Sequence, residues 1–489
     1  MMREHDILLG KSHDGAYLKF GGSEHVALHA RSGAGKTSSF TIPACFTWRG
    51  SLVVLDIKRE AFTATAGYRK RKGQEVYLLD PAAQDGRSHR WDPFAAVQRS
   101  QPERFDQIAR MGFQLFPEQY AGPGNASADR FWEPAGRSAF VAVATLLAET
   151  PGEPLTMSNV LRVFTRGDGL EWLARKISER RPTTNPYSRV VADGISDYIN
   201  GDIRQVDGIR KTVTTRLQIW HNPRIASATA VSDFDVRDLR RKPMTIYVAV
   251  APGDIPRMAP LLRLFFDQLV NLNTVNTPQQ DPSLTEQALV LLDEFARLGR
   301  VDCLSHAAQF VRGYGMRLAF VVQNKAQLRE LYGTHAASDI FDNLGAEIVF
   351  GTGDLELAQE LEKRLGDATV SVITQNRPRW FPWLQPARQH EAEHPHRRPL
   401  LLTQEVLQMP GHQQIILRPN MPPILANKIQ WWRETEFRKR CIPPPEIPQL
   451  TIEIPLDDGS TEIVRRTARA MSGITQQDVD GDPRQSRLL

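Results

Sequence analysis

His25-Val-Ala-Leu-His29 runs directly into Ala30-Arg-Ser-Gly-Ala-Gly-Lys36-Thr37. A short apolar run, a glycine-rich turn and then Lys-Thr is the sequence of a phosphate loop between a β-strand and a helix. Gly33 and Gly35 let backbone N–H groups wrap a polyphosphate, and the following helix points its positive end at the same place. Lys36 is placed to neutralise β- and γ-phosphate charge, and the Thr37 hydroxyl to hold Mg2+. The phosphate-binding residues on this reading are Arg31, Ser32, Gly33, Ala34, Gly35, Lys36, Thr37 and Ser38. The pattern ordinarily opens with glycine and this chain has Ala30 there, so context must carry the assignment.

The context is Ala288-Leu-Val-Leu-Leu-Asp-Glu-Phe295, an apolar strand-like run ending in two acids. Asp293, leaving the strand, would hold Mg2+ through a water, and Glu294 would orient and deprotonate an attacking water. A buried strand that meets solvent at a charged turn has the same look. Its pairing with the loop at Lys36 favours a nucleoside triphosphate site.

Strand-like runs at 25–30, 51–56 and 75–80 alternate with helix-like stretches, which predicts α/β architecture with a mainly parallel sheet. Residues 1–96 therefore read as the first part of a nucleotide-binding domain. From 97 to 235 the period changes to 3.6, with segments at 103–115, 131–148, 157–164, 169–179 and 206–220, as in a separate all-α domain. Strand signals return at 244–251, 288–292, 317–322, 346–350 and 412–417, so 236–441 reads as the second part of the interrupted domain. The helical block accounts for the long separation of Lys36 from Asp293. Residues 442–489 open Ile-Pro-Pro-Pro-Glu-Ile-Pro448 and turn polar, which reads as a mobile tail with one short strand at 450–454.

The 489 residues, 41% of them hydrophobic, can fill real cores, which excludes a disordered chain. Cys45, Cys303 and Cys441 lie far apart without CxxC spacing, supporting neither a disulfide framework nor a zinc site and pointing to a reducing compartment. No run approaches the roughly 18–20 apolar residues of a membrane span, so the chain as given reads as soluble. The net charge of +5 permits a nucleic-acid partner without requiring one. The basic clusters at Arg69-Lys-Arg-Lys72, at Arg237 with Arg240-Arg-Lys242, and at Arg433, Arg438, Lys439 and Arg440 read first as solvated faces. Residues 69–72 are also candidates, by charge alone, for a strand-gripping loop. His390, His394 and His396 fall in a Pro/Arg-rich stretch that reads as a loop rather than a metal site.

An ordered series of motifs resembles the coupling ATPases of type IV secretion and bacterial conjugation, the TraG/TraD-like proteins. It comprises the loop at Lys36, Val53-Val-Leu-Asp-Ile-Lys58-Arg-Glu60, Asp80-Pro81 with Ser88-His-Arg-Trp-Asp-Pro93, and Phe131-Trp132-Glu133. It continues with Leu291-Leu-Asp-Glu-Phe-Ala-Arg-Leu-Gly299, Val322-Gln323-Asn-Lys-Ala-Gln327-Leu328, Gly351-Thr-Gly-Asp354 and Arg398-Pro-Leu-Leu-Leu402. The resemblance implies a RecA-like P-loop domain carrying an all-α domain, using ATP and Mg2+ as a ring of six at the cytoplasmic face of the bacterial inner membrane. Such a motor couples hydrolysis to delivery of a relaxase-bound single DNA strand, or of a protein effector, into a type IV secretion channel.

On the same resemblance Gln323 senses the γ-phosphate and Arg312 reaches a neighbouring subunit's site, with Arg317 as fallback. From the residues alone, Gln323 is equally a strand-end cap and Arg312 a helix C-terminal cation. Many members begin with an N-terminal membrane segment, so contact with the inner membrane would run through a segment absent from this chain. Lys58-Arg59-Glu60 stands where relatives often carry Lys-Gly-Glu. Two other functions fit the motifs: a double-stranded-DNA translocase or packaging motor, and a receptor or adaptor whose nucleotide site serves assembly only.

Overall fold

A computed structural model describes residues 5–99, 102–117, 129–376, 390–455 and 461–464. Its strands are β1 (Ile7–Lys11), β2 (Tyr17–Phe20), β3 (His25–His29), β4 (Ser51–Leu55), β5 (Glu75–Leu79), β6 (Met244–Val248), β7 (Ala288–Leu292), β8 (Met316–Val322) and β9 (Leu344–Phe350). They continue with β10 (Asp367–Asn376), β11 (His390–Pro399), β12 (Gln413–Leu417), β13 (Ile424–Asn427), β14 (Ile452–Pro455) and β15 (Thr461–Val464). Eleven form one sheet in the order β2-β1-β13-β12-β9-β3-β8-β7-β4-β6-β5. The run β9-β3-β8-β7-β4-β6-β5 is parallel throughout; β12, β13, β1 and β2 extend one side antiparallel.

The central strands are uninterruptedly apolar because both faces are covered. In β7, Ala288, Val290 and Leu292 join the core on one face, and Leu289 and Leu291 that on the other. The first of these cores also takes in the helices inserted between β5 and β6, so sheet and insertion share one apolar mass. Those helices are Arg104–Leu115, Asp129–Glu149, Met157–Thr165, Gly169–Arg180, Arg189–Ile199, Ile203–Leu217 and Pro223–Ala228. Arg189–Ile199 goes beyond the segments expected from sequence. Ser188 caps it, Val191, Ile195 and Tyr198 form its buried stripe, and Gly194 allows close approach to Ala142 of the long helix. No helix among the described residues is long and apolar enough to cross a membrane.

Several expectations are corrected. The stretch holding His390, His394 and His396 is a strand rather than a loop: β11 pairs antiparallel with β10 over ten residue pairs. Its charges and prolines hide the strand in the sequence. The start of the tail is packed rather than mobile, with Ile447, Leu450 and Ile452 buried. Its backbone is also tied down, as Ser88 N–H donates to Pro448 O and Leu450 N–H to Gly86 O. Residues 456–460 and 465–489 of the tail lie outside the described residues.

Two arginines of the basic clusters are not solvated. Arg69, 2% exposed, donates to the carbonyls of Cys45, Trp48 and Gly50 and to the Thr245 hydroxyl. Arg240, 1% exposed, donates to the carbonyls of Asn273 and Asn276. Both act as internal braces, and Arg69 is unavailable to grip a strand.

Candidate functional site

The site lies at the carboxyl ends of the parallel strands, where open α/β sheets bind ligands. β3 delivers the phosphate loop, β7 delivers Asp293 and Glu294, and β8, lying between them, delivers Gln323. Gly33 and Gly35 have φ of 75° and 79°, the left-handed conformation that glycine adopts without a Cβ penalty. Ala30 is not among the residues with positive φ, and its N–H donates to Val322 O at 3.0 Å. The backbone therefore does not require glycine there, and the departure from the strict motif costs nothing in conformation. Thr37–Thr41 is a π-helical turn that runs into the helix Ile42–Thr47, aiming its first amides at the loop.

Lys36, Thr37, Asp293, Glu294 and Gln323 converge. The Lys36 ammonium lies 2.8 Å from Glu294 Oε1, and Gln323 Nε2 donates to the same oxygen at 3.2 Å. Arg297 holds the other carboxylate oxygen at 2.7 Å. Thr37 Oγ1 donates to Asp293 Oδ2 at 2.7 Å, and Thr41 Oγ1 to the same oxygen at 3.3 Å. Burial pushes the Asp293 carboxyl above its ordinary range, against the pull of the Thr37 hydroxyl and Lys36. Its Oδ1 is buried with no hydrogen-bond partner among the described residues. A buried carboxylate oxygen without a donor is costly. The water shell of a divalent cation held by Thr37 would supply such donors, so the residues present fit Mg2+.

Glu294 itself has φ of 55°, a conformation that costs an ordinary residue about 1–2 kcal/mol. The turn aims its carboxylate back across the strand ends at Lys36. Arg59, at φ 57°, shows the same strain. Its guanidinium compensates by pairing with Asp80 at 2.7 Å and Asp85 at 3.0 Å.

Arg312 and Arg317 do not join this site. Arg317 is the second residue of β8, six residues or about 20 Å at ~3.3 Å per residue from Gln323, and Arg312 lies in the turn Val311–Tyr314 that precedes the strand, at the opposite end from the loop. Arg312 is exposed and so is open to another chain. Arg317 is fully buried, donating to the carbonyls of Glu24, His5 and Phe20. It cannot reach out, which removes it as the fallback.

Geometry adds residues that sequence reasoning did not assign. Thr41 and Arg297 fall one helical turn from Thr37 and Glu294, a spacing that could have flagged them. Asp56, at the end of β4, accepts from the Phe62 N–H at 2.7 Å, and burial raises its carboxyl to about 7. At the base of the loop, His29 Nε2 lies 2.8 Å from Glu347 Oε1. Arg364 and Lys325 reach the same carboxylate at 2.6 Å and 3.5 Å. Burial opposes ionisation of Glu347, but His29, Arg364 and Lys325 together hold its carboxyl far below the usual range.

Residues 3–452 match the family described as type IV secretory system conjugative DNA transfer. This chain belongs to that family. It is 28% identical to VirD4 of Agrobacterium fabrum over 430 residues, 87% of this chain but 61% of that protein. To the conjugal transfer protein TraG of Escherichia coli it is 24% identical over 484 residues, covering 91% of this chain and 72% of TraG. Among solved structures, the bacterial conjugative coupling protein TrwBdeltaN70 superposes with a TM-score of 0.59 at 15% identity, over 83% of this chain and 85% of that one. TrwB in complex with ADP and Mg2+ gives 0.57 at 15% identity, over 87% of each chain. These likenesses establish the RecA-like P-loop α/β fold. The chain spans about three fifths of the length of the first VirD4 relatives.

Proposed function

We propose that this chain is the ATP-hydrolysing motor of a conjugative type IV secretion system, handing a relaxase-bound single DNA strand or a protein effector to the channel. The observation that carries the reading is the convergence of Lys36, Thr37, Asp293 and Glu294 at the strand ends, in a chain of the conjugative DNA transfer family. A module that used nucleotide only for assembly would have no need of Glu294 as a water-activating acid.

Bound Mg2+ would supply charge neutralisation between the β- and γ-phosphates. The protein's own residues do the rest. Lys36 exchanges its contact with Glu294 for phosphate oxygens, and Glu294, released from Lys36, takes a proton from the attacking water; Thr37 and Asp293 would hold the metal and its water shell. Gln323, already bonded to Glu294, reports on the γ-phosphate. Arg312, far from its own loop and exposed, supplies charge to a neighbouring subunit's site in a homo-hexamer. DNA and secretion-channel components are the partners, at the cytoplasmic face of the inner membrane.

The test is steady-state ATPase activity across a protein concentration series, with and without single-stranded DNA, beside Lys36→Ala. Activity that rises with DNA and steeply with protein concentration, and is lost in the variant, supports a ring motor. Binding of Mg-ATP without hydrolysis under any of these conditions favours the adaptor function.

A further inference from the structure

Lys428 follows β13, near the end of the sheet-forming sequence, yet its ammonium donates to the Ala34 carbonyl inside the phosphate loop at 3.3 Å. The same ammonium lies 4.0 Å from the centroid of the Phe350 ring on β9, and the residue is 9% exposed. Its backbone is fixed too, because Lys428 N–H donates to His412 O at 2.8 Å. Among the described residues no carboxylate pairs with it. A buried cation held only by a carbonyl and a ring face is costly unless something nearby needs the charge.

The loop's peptide geometry shows what needs it. In a trans peptide the carbonyl of one residue and the N–H of the next point in opposite directions. Holding the Ala34 carbonyl outward therefore turns the Gly35 N–H inward, toward the space that phosphates occupy. The neighbouring groups are already engaged: Ala34 N–H donates to Arg31 O at 3.2 Å, and Gly35 O accepts from Ser39 N–H at 2.8 Å and from Ser38 Oγ at 3.1 Å. The Gly35 N–H has no protein acceptor among the described residues. A cation on the carbonyl also polarises the peptide, strengthening that N–H as a donor.

We infer that Lys428 is a positioning residue of the nucleotide site, using its charge to set the Ala34–Gly35 peptide so that the Gly35 N–H faces a bound polyphosphate. The inference rests on the proposed nucleotide site and assigns a role there to the carboxyl-terminal hairpin β12–β13. Arg31 is the charged group that faces Lys428; β9 contributes only the Phe350 ring, and the His412 segment only a backbone carbonyl. Burial first, and Arg31 second, push the Lys428 ammonium down to about 8. Its charge, and with it the proposed contribution, is present below that pH and lost as pH rises through it.

The test uses the whole chain in four forms: wild type, Lys428→Met, Lys428→Arg and Lys36→Ala. Mg-ADP binding is measured by calorimetry from pH 7 to 9.5, with KM and kcat for ATP at pH 7. Lys428→Met keeps the aliphatic stem against Phe350 and is expected to weaken Mg-ADP about tenfold at pH 7, the worth of one charge-assisted hydrogen bond. It should raise KM more than it lowers kcat. The gap between wild type and Lys428→Met should close as pH approaches 9.5, while Lys428→Arg, charged throughout, keeps across the range the affinity that wild type shows at pH 7. Equal binding by wild type and Lys428→Met at pH 7, in a wild type that Lys36→Ala disables, overturns the role of Lys428 and leaves the nucleotide site standing. A gap of the same size at every pH also overturns it, by showing that packing and not charge is responsible. A wild type that binds no nucleotide overturns both.

Discussion

Replacing Glu294 by Gln should move nucleotide binding and hydrolysis in opposite directions, because the same carboxylate is bonded to Lys36 and, in the proposed mechanism, takes the proton of the attacking water. At 2.8 Å and an effective dielectric constant of about 20, the Coulomb attraction between Lys36 and Glu294 is about 6 kcal/mol. Rehydration of the two groups on separation offsets most of this, and hydrogen bonds to charged groups retain about 1.5–3 kcal/mol net. A neutral amide keeps about half of that, so Lys36 becomes easier to release by about 0.8–1.5 kcal/mol, or roughly four- to twelve-fold in affinity. Loss of a general base costs about 10²–10⁴ in rate, or ~3–5 kcal/mol in the barrier. Calorimetric titration with Mg-ADP and single-turnover hydrolysis of ATP measure the two effects separately. Tighter binding together with hydrolysis slower by at least a hundredfold is the expected pair of results. Unchanged or weaker binding would show that the ion pair does not compete with phosphate, and hydrolysis within tenfold of wild type would show that Glu294 is not the base.

Two further outcomes follow from the same geometry. Arg312→Ala should lose hydrolysis on its own, by about 10³-fold or more. Mixed with Lys36→Ala it should regain a fraction of the activity, since one variant keeps an intact site and the other an intact arginine; no recovery in mixtures that assemble would refute action across subunits. Glu347→Gln should destabilise the fold by about 3 kcal/mol at neutral pH, because Arg364 and Lys325 are left beside a neutral amide. The Glu347 carboxyl is held below its ordinary value of 4.5, so its contribution is complete above about pH 4.5 and shrinks as pH falls further. Urea unfolding of both proteins at pH 7, 5.5 and 4 reads this directly, and a difference as large at pH 4 as at pH 7 would refute it.

The convergence of Lys36, Thr37, Asp293 and Glu294 was legible in the sequence because its parts are local. A loop that wraps phosphate needs Gly33, Gly35, Lys36 and Thr37 in consecutive register after β3, and a strand that presents acids needs Asp293 and Glu294 at its end. Both demands act within a single turn or strand, where sequence neighbours are neighbours in space. Fold class followed for a similar reason: strands covered on both faces, such as β4 and β7, are written as unbroken apolar runs. The strand β11 escaped notice because an antiparallel ribbon outside the main sheet needs no apolar run, and Pro395 and the surrounding charges obscured what alternation it has.

Tertiary structure decided whatever depends on partners distant in the chain. Arg69 and Arg240 look like surface cations until the fold wraps carbonyl groups around them, and Arg317 looks like a candidate finger until β8 carries it to the closed end of the sheet. Lys428 has no motif of its own; only the order β13-β12-β9-β3 brings the end of one hairpin to the loop that follows β3. A charge in a sequence states its sign, but its surroundings determine whether it is solvated, braced or aimed at a site. Those surroundings are set by sheet order and burial, quantities that belong to the folded chain as a whole.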